Sequence, residues 1–252
     1  MRLHVHEWGD AGAPPVVCVH GVVGHCLRFG RLAERLAGRF HVLALDLRGH
    51  GHSPWDEPWT LDANVDDVLE TFAQPAAWIG HSFGGRLVLE LAARRPDLVE
   101  RAVLLDPAVY VPPDIAAQLA DSERQEKVFD TVEQAIEARW TGNARTPREL
   151  LEEEMREHLV AGEDGRLRYR YSQPAVVQMY LELSRRPPPA TDVRMPTLVV
   201  VGEESKVVSA ADLEPYRTAL AERFELVVTP GGHIPLWDAF AETADAVEAF
   251  LA

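Results

Sequence analysis

Lysine is almost absent from this chain: among 252 residues only Lys127 and Lys206 carry it, so the 25 basic side chains are nearly all arginine. Set against 40 acidic residues they leave a net charge of −15. A protein that grips nucleic acid needs a basic face, so that class of partner is not expected. An anionic membrane surface is disfavoured for the same reason. Cysteine is equally scarce. Cys18 and Cys26 are too few for a disulfide framework, and Cys18 sits in an apolar strand pattern, which fits a reducing compartment. Long apolar runs are missing as well. The opening "MRLHVHEWGD" does not read as a signal peptide, and no later stretch is long enough to span a bilayer. A cytoplasmic protein is expected; its oligomeric state is left open.

What is present is alternation. Short Val- and Leu-rich runs at Leu3–Trp8, Val16–His20, His41–Leu45, Ala77–Gly80, Ala102–Leu105, Leu198–Val201 and Leu226–Val228 read as strands. Helical spacing falls between them at Phe29–Leu36, Leu61–Phe72, Gly84–Arg94, Leu213–Arg223 and Ala239–Leu251. Strands separated by helices predict a mostly parallel central sheet covered on both faces, an α/β fold. The alternation stops after Asp106. Residues 107–189 turn acidic and helical, as in "VFDTVEQAIEARW", "PRELLEEEMREHL" and "PAVVQMYLEL", and "RRPPPATDVRMP" leads back to a strand. That division predicts a core of residues 1–106 and 190–252 and a helical cap, 107–189, over the carboxyl edge where open α/β sheets bind ligands.

The strongest local pattern is "WIGHSFGG", which sets Gly80, Ser82 and Gly84 as Gly-x-Ser-x-Gly between a strand and a helix. Such a turn is sharp and strained and lifts the serine hydroxyl above the sheet. Side chains at 80 or 84 would collide with the adjoining strand and helix. The following helix directs its partial positive charge at the site.

Three further segments accompany this elbow: "VVCVHGVVGH", "LALDLRGHGHS" with its Asp-x-Arg-Gly-x-Gly-x-Ser pattern, and "PGGHIPLWDAFAETADAVEAFL". Together they resemble the α/β-hydrolase fold family, in particular its serine carboxylesterase-like members with a helical cap. The resemblance runs from one end of the chain to the other and leaves only the cap without a signature. It implies an oxyanion hole made by the backbone N–H groups of Val22 and Phe83, and a general base at His233. No cofactor and no metal are implied.

Ten histidines compete for the base. His81 adjoins the serine but should point away from it, and His20 should support the oxyanion loop. His4 with His6 and His50 with His52 form pairs, yet no acidic or cysteine cluster joins them at a metal-ligand spacing. The acid is harder to place. Many relatives carry Gly-x-x-Asp after the strand equivalent to Leu198–Val201, but here Gly202 is followed by Glu203, Glu204 and Ser205. Serine cannot stabilise an imidazolium as a carboxylate does. Other relatives take the acid from the end of the strand after the nucleophile helix, which here is Asp106. The candidates are therefore Asp106, with Glu203 and Glu204 as alternatives.

The expected activity is a serine hydrolase acting through Ser82, His233 and Asp106 on carboxylic esters of small to medium size. Lactone, thioester, amide or carbon–carbon bond cleavage and perhydrolysis would use the same machinery. An acyltransferase, or a ligand-binding signalling protein with negligible turnover, is the rival class. In "RLRYRY", Arg168 and Arg170 read either as water-facing or as contacts to a substrate carboxylate.

Overall fold

The computed structural model describes residues 1–140 and 146–252, so residues 141–145 of the expected cap lie outside the described part. The strands are β1 (Val5–Trp8), β2 (Pro15–Val19), β3 (His41–Leu45), β4 (Ala76–His81), β5 (Val99–Leu105), β6 (Val128–Phe129), β7 (Leu159–Ala161), β8 (Leu167–Tyr169), β9 (Thr197–Gly202) and β10 (Phe224–Thr229). Helices α1 (Gly30–Leu36), α2 (Leu61–Thr71) and α3 (Phe83–Arg94) precede β5. Between β5 and β9 come α4 (Pro113–Ser122), α5 (Val132–Trp140), α6 (Arg148–His158) and α7 (Gln173–Glu182). Helices α8 (Ala210–Leu220), α9 (Pro235–Asp238) and α10 (Phe240–Leu251) complete the chain.

Seven strands form one sheet in the order β1-β3-β2-β4-β5-β9-β10. Only β1 runs antiparallel, against β3; the other neighbours are parallel. The period of two explains why both faces are dry. Val17, Val19, Trp78, Leu104 and Val199 enter one apolar cluster, while Val16, Cys18, Ile79, Val103 and Val200 enter the other. Helices cover each face, and the edge strand β10 leaves Leu226 and Val228 exposed. Cys18 and Cys26 are both free and buried.

Helices dominate the segment between β5 and β9, as its spacing predicts. A three-stranded antiparallel sheet, β6-β8-β7, joins them. At two or three residues each, these strands are too short to write an alternating pattern into the sequence. The segment is stitched to the core by main-chain bonds, Gly51 N–H to Arg170 O at 2.8 Å and Ser172 N–H to Gly49 O at 2.6 Å. A second junction is ionic. Glu154 of α6 meets Arg28 and, at 2.9 Å, His25, with all three side chains buried. No helix among the described residues is long and apolar enough to cross a membrane.

Candidate active site

The Gly-x-Ser-x-Gly turn has the geometry its residues require. Ser82 adopts φ 54° between β4 and α3, a left-handed conformation that is strained for a side-chain-bearing residue. A Cβ on Gly80 would lie 2.3 Å from the Gly84 carbonyl oxygen, and one on Gly84 would lie 2.0 Å from that of Val19. Helix and strand therefore approach at a spacing only glycine permits. Ser82 is itself buried, fixed by its N–H to Leu105 O at 3.1 Å.

His233 reaches the serine from the loop after β10. Its Nε2 accepts from Ser82 Oγ at 2.9 Å, and its Nδ1 donates to Asp106 Oδ2 at 2.6 Å. The carboxylate has no donor of its own, so it fixes the proton on Nδ1 and leaves Nε2 free to accept. Asp106 follows β5, is fully buried and has φ 42°, with its N–H bound to Val200 O at 2.7 Å. Of the three acids considered from the sequence, Asp106 is the one on the histidine. Glu203 and Glu204 are exposed on the turn after β9.

Ser205 adds a contact that the sequence reading missed. Its Oγ donates to the same Asp106 Oδ2 at 2.5 Å and accepts from Val207 N–H at 3.2 Å. The residue standing where many relatives carry the acid is thus a hydrogen-bond donor to it.

The loop after β2 supplies the other wall. Val22 and Phe83 N–H groups make no hydrogen bond within the fold among the described residues, and Phe83 opens α3, where helix N–H groups are unsatisfied. The loop is held by histidines. His20 Nδ1 donates to Gly21 O at 2.7 Å and its Nε2 accepts from Leu47 N–H at 3.0 Å. Burial and the neighbouring His50 push the His20 pKa down to about 3, which suits a ring that must donate once and accept once. His50 Nε2 donates to Val22 O at 2.5 Å. His81 turns its Nε2 to the His233 carbonyl oxygen at 2.8 Å, so that nitrogen is not offered to the serine hydroxyl. Burial, then the charges of His233 and Arg28, hold His81 well below the ordinary histidine range.

The Asp-x-Arg-Gly-x-Gly-x-Ser segment is structural. Asp46 accepts N–H bonds from Cys26 at 2.8 Å and His52 at 3.0 Å, while Arg48 pairs with buried Asp67. Gly51, at φ 53°, packs against the Asp46 carboxylate where a Cβ would clash. His4, Cys26 and Asp46 form the one group of three potential metal donors found among the described residues. Its carboxylate is already engaged by main-chain N–H groups, and neither His-x-His pair contributes both members.

Above Ser82 and His233 opens a pocket of about 560 Å³, within the range of small-molecule sites. Val22, Val23, Val111 and Leu183 give it an apolar body, and the half-exposed Ile115 and Leu119 of α4 stand at its wall. Arg168 and Arg170 do not line it. Arg168 pairs instead with Asp164 at 2.7 Å and Glu126 at 3.2 Å.

A sequence model described as "Alpha/beta hydrolase family" matches residues 16–246. The chain belongs to the alpha/beta hydrolase family. Among relatives, this family member is 37% identical over 220 residues to lipase LipV of Mycobacterium tuberculosis, covering 85% of this chain and 80% of that one. It is 35% identical over 243 residues to the 2-(acetamidomethylene)succinate hydrolase of Mesorhizobium japonicum, covering 92% and 84%. The crystal structure of an E-2-(acetamidomethylene)succinate hydrolase superposes with a TM-score of 0.89 at 28% identity, covering 99% of this chain and 94% of that one.

Proposed function

We propose that this alpha/beta hydrolase is a serine esterase that cleaves carboxylic esters of small to medium size through an acyl-enzyme. The observation that carries the reading is the hydrogen-bonded chain Ser82–His233–Asp106, at 2.9 and 2.6 Å, at the floor of an apolar pocket. His233 takes the Ser82 proton at Nε2 as Oγ attacks the acyl carbon. Asp106 holds the imidazole in orientation and stabilises the charge it acquires. The Val22 and Phe83 N–H groups receive the oxyanion; a donor of this kind is typically worth about 3 kcal/mol in the transition state. His233 then returns the proton to the leaving alcohol. Water enters and gives its proton to the same nitrogen as its oxygen attacks the acyl carbon; the acyl bond to Oγ then breaks, the proton returns to Ser82 and the acid leaves. The first proton transfer uses side chains already in contact, and the substrate is a small molecule.

The lipase name borne by one relative supports an ester substrate, and the pocket volume supports a modest acyl chain. Residues 107–189 act in this reading as the cap that walls the pocket. An active-site phosphonate should label Ser82, located by mass spectrometry. Ser82→Ala should lower turnover of short p-nitrophenyl esters by about 10⁴-fold or more at unchanged circular dichroism. Label on another residue, or an active Ser82→Ala protein, would overturn the assignment. Wild-type protein that binds esters without cleaving them would move the reading to the ligand-binding class.

A further inference from the structure

The pocket is basic in a chain that is acidic overall. Against a net charge of −15, its wall holds Arg28, Arg139 and Lys206 and no aspartate or glutamate. Lys206 is one of the chain's two lysines. The two arginines share one aromatic partner: the Arg28 guanidinium lies 4.9 Å and that of Arg139 6.0 Å from the Trp237 ring centroid. They come from different parts of the fold, Arg28 from the turn before α1 and Arg139 from α5.

Their counter-charges do not balance. Glu154 pairs with Arg28, and His25 also leans on that carboxylate at 2.9 Å. Arg139 makes no ion pair or hydrogen bond among the described residues, and its distance to Trp237 is at the outer limit for a cation–π contact. Burial lowers the Arg28 pKa, Glu154 opposes that, and Arg139 adds to it, as two like charges in one neighbourhood must. A guanidinium left with surplus charge beside an apolar cavity lacks an anion, and its planar fork matches a carboxylate.

We infer that the substrate carries a carboxylate besides its scissile ester, bound by Arg139 with Lys206 contributing from the turn after β9. The substrate class is then the half-ester of a dicarboxylic acid, with its methylene chain along the apolar body of the pocket. The inference rests on the esterase reading of this same site.

Monomethyl adipate and methyl hexanoate make a matched test pair, because they differ only in a terminal carboxylate against a methyl group. Wild-type kcat/KM, followed by pH-stat, should favour the half-ester by at least tenfold. Arg139→Gln should cut that ratio at least tenfold, chiefly through KM for the half-ester, and Arg139→Lys should keep part of it. Equal rates on the two esters in the wild type, or a ratio untouched by Arg139→Gln, would overturn the inference. Should neither ester be cleaved, the esterase reading fails by itself. Calorimetry of adipate against Ser82→Ala protein then decides the anion site: binding lost on adding Arg139→Gln supports it, and no binding at millimolar adipate refutes it.

Discussion

Within the seven-stranded sheet, neighbouring residues of one strand send their side chains into two separate apolar clusters, and polar contacts are few. The segment between β5 and β9 is built differently. Its strands are two or three residues long, and its surface carries ion pairs such as Arg148 with Glu133 and Glu152 on the helices, or Arg166 with Asp130 between loops. Exposed pairs of this kind add little stability. Helix α6 is anchored to the core by Leu150, Leu151 and Met155, which join its apolar cluster, and by a buried polar group: Glu154, Arg28, His25, and His158 stacked on His25 at 4.8 Å. The difference separates two tasks. The strand ends of the sheet and the loop after β10 set the reacting atoms at hydrogen-bond distance, whereas the insert supplies part of the pocket wall, Arg139 included.

The residue where the two regions meet should give the largest effect. Asp106→Asn keeps the shape but offers His233 the wrong partner, and in the best-studied triad such a change costs roughly 10⁴ in turnover. A loss of that order in kcat is expected, with melting temperature nearly unchanged, while Glu203→Gln and Glu204→Gln stay near wild type. A crippled glutamine variant beside an active Asp106→Asn would shift the acid to the turn after β9.

The next test acts on the junction. Glu154→Gln leaves Arg28 buried without its carboxylate, a change that typically costs about 3–5 kcal/mol. Hydrogen exchange should rise across α6 first and leave β2, β4 and β5 protected; uniform exchange would erase the distinction between the regions. The junction should also be acid-sensitive. Burial, reinforced by the charge of His25, holds His158 well below its ordinary value of 6.5, so below that pH the unfolded chain takes up a proton that the folded chain refuses. Burial alone would raise Glu154, but the charges of Arg28 and His25 hold it well below the carboxylate range, which adds a further loss near and below pH 4.5. Each group contributes up to about 1.4 kcal/mol per pH unit within its window. Melting temperature should therefore fall as pH drops from 6.5 to 4, and His158→Phe should flatten the upper part of that fall. An unchanged slope in His158→Phe would remove this histidine from the account.

The smallest expected effect lies inside the core. Ser205→Ala removes one hydrogen bond to Asp106 and should reduce kcat/KM roughly fivefold, about 1 kcal/mol, with Ser205→Thr closer to wild type. A loss approaching that of Asp106→Asn would mean that the hydroxyl does more than steady the carboxylate.

Much of this core could be read from the chain, because its signals are local. The elbow writes its Gly-x-Ser-x-Gly pattern within five residues, although the strand residue that excludes a side chain at Gly84 is the distant Val19, and the strand runs β2, β4 and β9 announce burial on both faces. The β6-β8-β7 sheet could not be read, since strands of two or three residues are specified by their neighbours rather than by period. Pocket charge was equally hidden. Arg28 and Arg139 are 111 positions apart, and only the packing around Trp237 brings them together. Arg168, singled out in sequence, is drawn off by nearby acids on the surface.

The Ser205–Asp106 contact also bears on descent. Two strand ends, 99 positions apart in the chain, meet at 2.5 Å beside one imidazole. A lineage can therefore carry its acid from one end to the other in single substitutions. Ser205→Asp comes first, passing through an intermediate whose paired carboxylates would share a proton. Replacement of Asp106 by serine then completes the exchange. Activity in Asp106→Ser with Ser205→Asp that exceeds Asp106→Ser alone would show that route open, and no gain would close it. Kinship among such enzymes is then better traced by where the carboxylate stands in space than by which strand delivers it.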